Sequence, residues 1–248
     1  MSKQKRFLLS EAELPTQWYN IQADMKNKPL PPLNPATKEP VSVDDLSHVF
    51  AHECAKQELD QTHAWIDIPT EVLERYKYYR STPLVRAYAL EEALGTPAHI
   101  YFKNESVSPL GSHKINSALP QCYYCKQEGV TNVTTETGAG QWGAALSYAA
   151  KAFGLECAVY QVKISMLQKP YRSSIMRTFG ATVEGSPSMS TRAGKDIITA
   201  DPNHPGSLGT AISEAIELAT TTPNCKYTLG SVLNHVALHQ TIIGLEAE

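Results

Sequence analysis

The chain has 248 residues, with 22 basic and 25 acidic side chains, a net charge of −3 and 42% hydrophobic residues. That is ordinary globular material: the charge leaves no basic footprint for nucleic acid, and no apolar run reaches membrane length. Five cysteines, an odd count in a chain long enough to build a core without staples, read as reduced thiols and make a cytoplasmic location the default.

Met1 to Ser10 is lysine-rich, but polar residues follow it, so the apolar core of a signal peptide is lacking. Lys28 to Pro40 carries five prolines in thirteen residues, which forbids a helix and predicts a linker or extended arm after an N-terminal segment. His48 and His52 are spaced i, i+4 and on a helix would share a face. Neither an H-E-x-x-H run nor an acidic third ligand supports a metal, and a surface or capping role is the stronger reading. From Pro83 the chain alternates strand and helix signals. Leu84–Arg86 and Ala98–Lys103 read as strands around a helix that stops at Gly95.

A helix is expected from Lys114 to Glu128, ended by Gly129. Cys122 and Cys125 lie inside it without a second pair at metal-site spacing, which favours packing over zinc or redox chemistry. A β-branched strand, Asn132–Glu136, then runs into a glycine-flanked turn and a helix from Gln141 to Phe153. Ala158–Val162 is a further strand, Pro170 suits a helix N1 position with Gly180 as its C′ residue, and Ala181–Glu184 follows as a strand. Helical patterning returns at Ala211–Thr220, then a strand at Lys226–Leu229. Such alternation implies parallel strands with crossover helices: an α/β fold with an open, mostly parallel sheet, helices on both faces, and ligands at the carboxyl ends of the strands.

Two motifs fall at those ends. Gly111-Ser-His-Lys-Ile-Asn116 places Lys114 at one helix start, and Glu136-Thr-Gly-Ala-Gly-Gln141 places a carboxylate before another. Helix starts leave unpaired N–H groups that receive anions, phosphate at one turn and carboxylate at the other being natural occupants. Lys114 could support a phosphate as a point charge, yet neither G-x-x-x-x-G-K-[ST] nor G-x-G-x-x-G is present. A Schiff base to an aldehyde cofactor remains, with pyridoxal phosphate as electron sink; the bland alternative is a solvated lysine at a helix start. Glu136 in turn reads either as a strand-end carboxylate in water or as a functional acid, and its lack of an obvious structural partner favours function.

Ser112-His-Lys-Ile-Asn-Ser-Ala118 and Glu136-Thr-Gly-Ala-Gly-Gln-Trp-Gly143, in this order and spacing, resemble the cofactor-lysine and substrate-carboxylate motifs of tryptophan synthase beta chains, and among them the second, longer-N-terminus subgroup. Tyr79–Leu84, Tyr101–Glu105, Lys169–Ser173 and His239–Glu246 extend the likeness from about Arg80 to the last residue, while the first 70 residues match loosely, through length and Trp18-Tyr-Asn20. The resemblance implies a fold type II pyridoxal phosphate enzyme, a carbon–oxygen lyase that makes tryptophan and water from L-serine and indole. Lys114 would carry the cofactor as a Schiff base and move the serine α-proton. His113, Ser112 and Asn116 would lie around the cofactor. Glu136 would act as acid and base, and Thr137, Gly138, Ala139, Gly140 and Gln141 would cradle the substrate carboxylate. No metal is implied. Trp142 stands where the better-known form of the family carries histidine, which matches the second subgroup and puts tight coupling to an alpha subunit in doubt.

The implied organisation is an N-terminal extension with the proline-rich arm (1–79), strands belonging to the cofactor or C-terminal domain (80–110), and a lysine-bearing domain (111–248) that includes a mobile subdomain at about 137–220. His239 to Glu248 reads as a helix still running at the last residue, and no glycine-rich phosphate loop is found. On that reading the second domain is incomplete and the chain as given is inactive. Other expectations are a homodimer, at most weak alpha-subunit contact, and serine or O-phosphoserine as substrate. The alternatives are a serine or threonine dehydratase, a threonine synthase or a cysteine synthase of the same fold type, or a non-catalytic fragment or interaction module. The acid at Glu136 argues against those other enzymes, whose corresponding turns usually carry serine or asparagine.

Overall fold

A computed structural model describes residues 4–248. The N-terminal segment holds β1 (Arg6–Phe7), β2 (Gln17–Tyr19), α1 (Val43–Ser47), α2 (His52–Leu59), β3 (Trp65–Asp67) and α3 (Thr70–Tyr76), with β2 and β3 paired antiparallel. The proline-rich arm forms no helix and folds back through a turn at 35–37. It is tied down where Lys28 Nζ donates to the carbonyls of Gln22 and Ala23, each at 2.6 Å, and where Leu33 bridges Pro40. His48 caps the end of α1 while His52 opens α2, so the two histidines sit on different helices. His52 Nδ1 meets Ser47 Oγ at 2.9 Å, and no cluster of metal-ligating side chains occurs among the described residues.

Next come β4 (Leu84–Arg86), α4 (Tyr88–Leu94) and β5 (Tyr101–Lys103), at the predicted places, with Gly95 left-handed at the end of α4. Their pairing corrects the sequence expectation. β4 runs antiparallel to both β1 and β5, in a three-stranded sheet of its own with order β1-β4-β5. A parallel crossover needs a helix that packs back on the sheet, and α4 buries none of its residues. The chain therefore doubles back, leaving Tyr101 and Phe102 40% and 50% exposed.

The parallel sheet is built from β6 (Asn132–Thr137), β7 (Glu156–Val162), β8 (Thr182–Ser186) and β9 (Cys225–Tyr227), in the order β8-β7-β6-β9. Between these strands lie α5 (Ile115–Gln127) ahead of β6, α6 (Gln141–Phe153), α7 (Lys163–Gln168), α8 (Pro170–Thr178), α9 (Arg192–Ala200) and α10 (Leu208–Thr221), and after β9 come α11 (Asn234–Gln240) and α12 (Ile242–Leu245). Because side chains alternate along a strand, the two sheet faces bury different sets. Val133, Cys157, Val159 and Val183 join the core of α5 and α6, whereas Tyr160, Val162, Cys225 and Tyr227 pack with Ala211, Ala215 and Ala219 of α10. All five cysteines are free and buried, Cys122 and Cys125 in the α5 core. Among the described residues no helix is long and apolar enough to cross a membrane.

The C-terminal pattern departs from a single running helix. It breaks at Thr241, whose hydroxyl donates to Leu238 O at 2.7 Å and accepts from Tyr19 N at 3.0 Å, and α12 ends at Leu245. A side-chain hydroxyl that competes for backbone groups in this way interrupts a helix. Beyond it, buried Glu246 receives Arg80 and Lys103, and Arg80 also holds Glu105.

Candidate active site

β6 and β9 end side by side, and the turns leaving them form the walls of a pocket of about 230 Å³ lined by Lys114, Glu136, Thr137, Gly138, Ala139, Gln141, Trp142, Leu208, Gly230 and Ser231. Lys114 is the N-cap of α5, reached through a left-handed Gly111, and Ser112 Oγ accepts its backbone N–H at 3.3 Å. Its Nζ donates to the carbonyl of Gly230 at 2.9 Å. Burial lowers the Lys114 pKa, opposed by the nearby Glu136 carboxylate. Desolvation penalises the charged form of either group, so burial also raises the Glu136 pKa, against the lowering effect of a hydrogen bond from Tyr227.

Tyr227 is the partner that sequence reading did not supply for Glu136. Thr134 of β6 lies opposite Tyr227 of β9, so Glu136, two residues on, shares its face and the phenol reaches along the sheet to Glu136 Oε2. With Tyr227→Phe the carboxylate loses a donor that favours its charged form. Its pKa therefore rises further, and the acid limb of any activity that needs ionised Glu136 moves to higher pH, with a rate loss of roughly 3- to 10-fold. A pH–rate profile unchanged from wild type would show that the phenol is irrelevant to the acid.

The turn after β6 is built for close approach. Gly140 caps α6 at φ +93°, and a Cβ there would meet Arg172 Cβ at 2.6 Å, so it shapes the turn without lining the pocket. Thr137 Oγ1 accepts from Gly143 N at 3.2 Å, and Gln161 Nε2 reaches Gly138 O at 3.4 Å. Trp142 is buried, donates to Thr135 Oγ1 at 2.7 Å, and packs its ring where a Cβ on Gly230 would come within 2.3 Å.

The remaining expected residues separate. His113 is largely exposed beside Lys114, and partial shielding from water by its neighbours lowers its pKa, as does the Lys114 charge. Ser112 is buried and occupied with the Lys114 backbone. Neither lines the pocket. Asn116 does not line the pocket either: on a helix, residue 116 points away from residue 114, and the side chain is fully buried. Its Oδ1 accepts from Tyr79 and Arg80, each at 2.9 Å, and its Nδ2 donates to Glu105 and Gln240. Gly230, Ser231 and Leu208 were missed. The rule that ligands gather at the carboxyl ends of parallel strands could have found Gly230 and Ser231, just past β9; Leu208, at the start of α10, gave no such signal.

The family described as "Pyridoxal-phosphate dependent enzyme" matches residues 76–247. The chain belongs to this family. Among curated relatives, "Tryptophan synthase beta chain 2" of Thermotoga maritima is 56% identical over 238 residues, covering 96% of this chain and 56% of the relative. Proteins of the same description from Aquifex aeolicus and Methanosarcina mazei are 55% and 51% identical, over 98% and 99% of this chain and 56% and 55% of their own lengths. The chain thus spans little more than half the length of the curated relatives it matches. Pyridoxal phosphate is the family's cofactor. The residues present fit it: a lysine amine of lowered pKa, whose Nζ donates to a backbone carbonyl, shares a glycine-walled pocket with a buried acid.

Proposed function

We propose that the chain carries the lysine and the acid of a pyridoxal phosphate-dependent β-replacement that converts L-serine and indole into L-tryptophan and water, a carbon–oxygen lyase reaction. The observation that carries this reading is the shared pocket of Lys114 and Glu136, each with its pKa moved toward the neutral form by burial. Likeness to tryptophan synthase beta chains supports the choice of substrates. The bound cofactor supplies an electron sink for negative charge at the amino-acid α-carbon.

Lys114 would hold the cofactor aldehyde through Nζ and would take the α-proton of bound serine. A lowered pKa provides the neutral amine that both tasks need. Glu136, kept protonated more readily by burial, gives its proton to the departing serine hydroxyl and then, as a carboxylate, receives the proton that indole loses. Thr137, Gly138, Ala139 and Gln141 present backbone N–H groups to the serine carboxylate at the start of α6, with Gly140 shaping the turn that aims them. His113 and Ser112 stand at the start of α5, where a phosphate would lie; Asn116 acts behind them by holding Arg80 and Glu105. Residues 1–79 serve as an extension, 80–110 supply strands of the cofactor domain, and about 137–220 move over bound substrate. The working enzyme is a cytoplasmic homodimer with weak or no alpha-subunit contact.

The test is a product assay on the holoenzyme with indole and either L-serine or O-phosphoserine. Tryptophan is expected from serine. Turnover of phosphoserine alone would change the substrate, and pyruvate or other products without tryptophan would move the protein to a dehydratase or synthase of the same fold type.

A further inference from the structure

Behind the pocket, a line of buried amides, a hydroxyl and an imidazole runs from the N-terminal segment to the turn that holds Lys114. It starts in α2, where Gln57 Nε2 donates to the Tyr124 hydroxyl at 3.0 Å, so that Gln57 Oε1 is the acceptor facing His239 Nε2 at 2.9 Å. That makes His239 the neutral Nε2–H tautomer, in keeping with burial, which pushes its pKa far down, and with the neighbouring His235. Its Nδ1 then accepts from Ser117 Oγ at 3.0 Å, and Ser117 Oγ accepts from Gln121 Nε2 at 2.9 Å. Gln121 finishes the line as a two-point clamp. Its Nε2 donates to Leu229 O at 2.9 Å, and its Oε1 accepts from Leu229 N at 3.2 Å. Every donor meets an acceptor in one direction, and Gln57, Ser117, Gln121 and His239 are all buried.

The clamp acts one residue from the carbonyl that receives Lys114 Nζ. Past the end of β9 the Gln121 amide pairs with the backbone at 229 through both N–H and C=O, as a strand neighbour would. On the other side Gly230 is pressed against the Trp142 ring, so its carbonyl is fixed from two directions. We infer that Gln121 is a positioning residue for Lys114: it fixes the backbone at Leu229 and Gly230 so that the Gly230 carbonyl holds the lysine amine, and Ser117, His239 and Gln57 hold Gln121 in turn. The inference rests on reading Lys114 as the reactive amine. It also gives the N-terminal segment a part in the site through Gln57.

Trace acetylation of the cofactor-free full chain across a pH series, with each lysine quantified by mass spectrometry, reads the titration of Lys114 directly. The charged groups facing Lys114 are Glu136 from β6 and His113 on its own turn, and the variants leave both in place. A carbonyl acceptor favours the ammonium form, so freeing it in Gln121→Met lowers the Lys114 pKa and raises its labelling near neutral pH by about threefold, while Lys126 and Lys151 keep their profiles. An unchanged or higher Lys114 pKa, read as unchanged or lower labelling in the folded variant, overturns the inference. Should Gln121→Met fail to fold, Ser117→Ala breaks the line one step back. The same fall is expected there, and its absence likewise overturns the inference. Because no cofactor is present, this result is separate from the mapping of the cofactor lysine: a label on another lysine would end the reading of Lys114, whereas an unmoved profile would end only the part given to Gln121.

Discussion

Borohydride reduction of the cofactor-loaded protein, followed by peptide mapping, is expected to place the pyridoxyl group on Lys114. The lysine stands at the start of α5 inside the pocket, and its side chain is held by a backbone carbonyl, a partner that does not compete as a carboxylate would for the charged form. Its amine is thus free to condense once deprotonated, and burial makes deprotonation easier. Lys114→Ala should reduce turnover by roughly 10⁴-fold or more, the scale seen when a covalent catalytic group is removed. The fold should persist, since the side chain provides no helix cap and leaves behind only the Gly230 carbonyl. Circular dichroism matching the wild type together with lost turnover is the expected pair of results, and a pyridoxyl group on any other lysine refutes the assignment.

The second large effect is expected at Glu136. Glu136→Gln keeps the shape and can still accept from Tyr227, but it cannot exchange a proton, so serine should bind within about threefold of wild type while tryptophan formation falls by roughly 10²-fold or more. Serine affinity and turnover measured on the same preparation separate the two effects. Rates within threefold of wild type would remove Glu136 from the chemistry, and an equal loss in binding would make it a recognition group instead.

The acid–base reading accounts for why a carboxylate is tolerated at this depth. Glu136 is buried in the last turn of a strand whose neighbours are Thr134, Thr135 and Thr137, and it gains a phenol donor in place of water. At Glu136 burial outweighs the Tyr227 hydrogen bond and the Lys114 charge and keeps the pKa raised, whereas Glu105 is driven down by Arg80 despite its own burial. The two acids have opposite fates, and only Glu105 meets a guanidinium.

Much was legible in the chain itself, because the signals are local. The extent of α6, Gln141–Phe153, follows from a glycine at each end and an apolar stripe between, and α8 from Pro170 at its start and Gly180 past its end. Lys114 and Glu136, which share one pocket, stand out as candidates because an ionisable residue beside a glycine turn at a strand–helix junction is a local pattern. Strand direction was not local. That β4 and β5 run antiparallel beside β1 depends on α4 failing to pack on a sheet, and that the last helix breaks depends on Thr241 meeting Tyr19 more than two hundred positions away. The same holds for the side-chain partners. Tyr227 reaches Glu136 only because β9 pairs with β6, Asn116 turns to Arg80 only because residue 80 lies against α5, and Gln121 clamps Leu229 only because β9 ends beside that helix. The residues proposed for the chemistry are set by short-range sequence; the groups that orient them and tune their protons come from segments that only the packed chain brings together, since hydrogen bonds and desolvation act over a few ångströms of space and not along the chain.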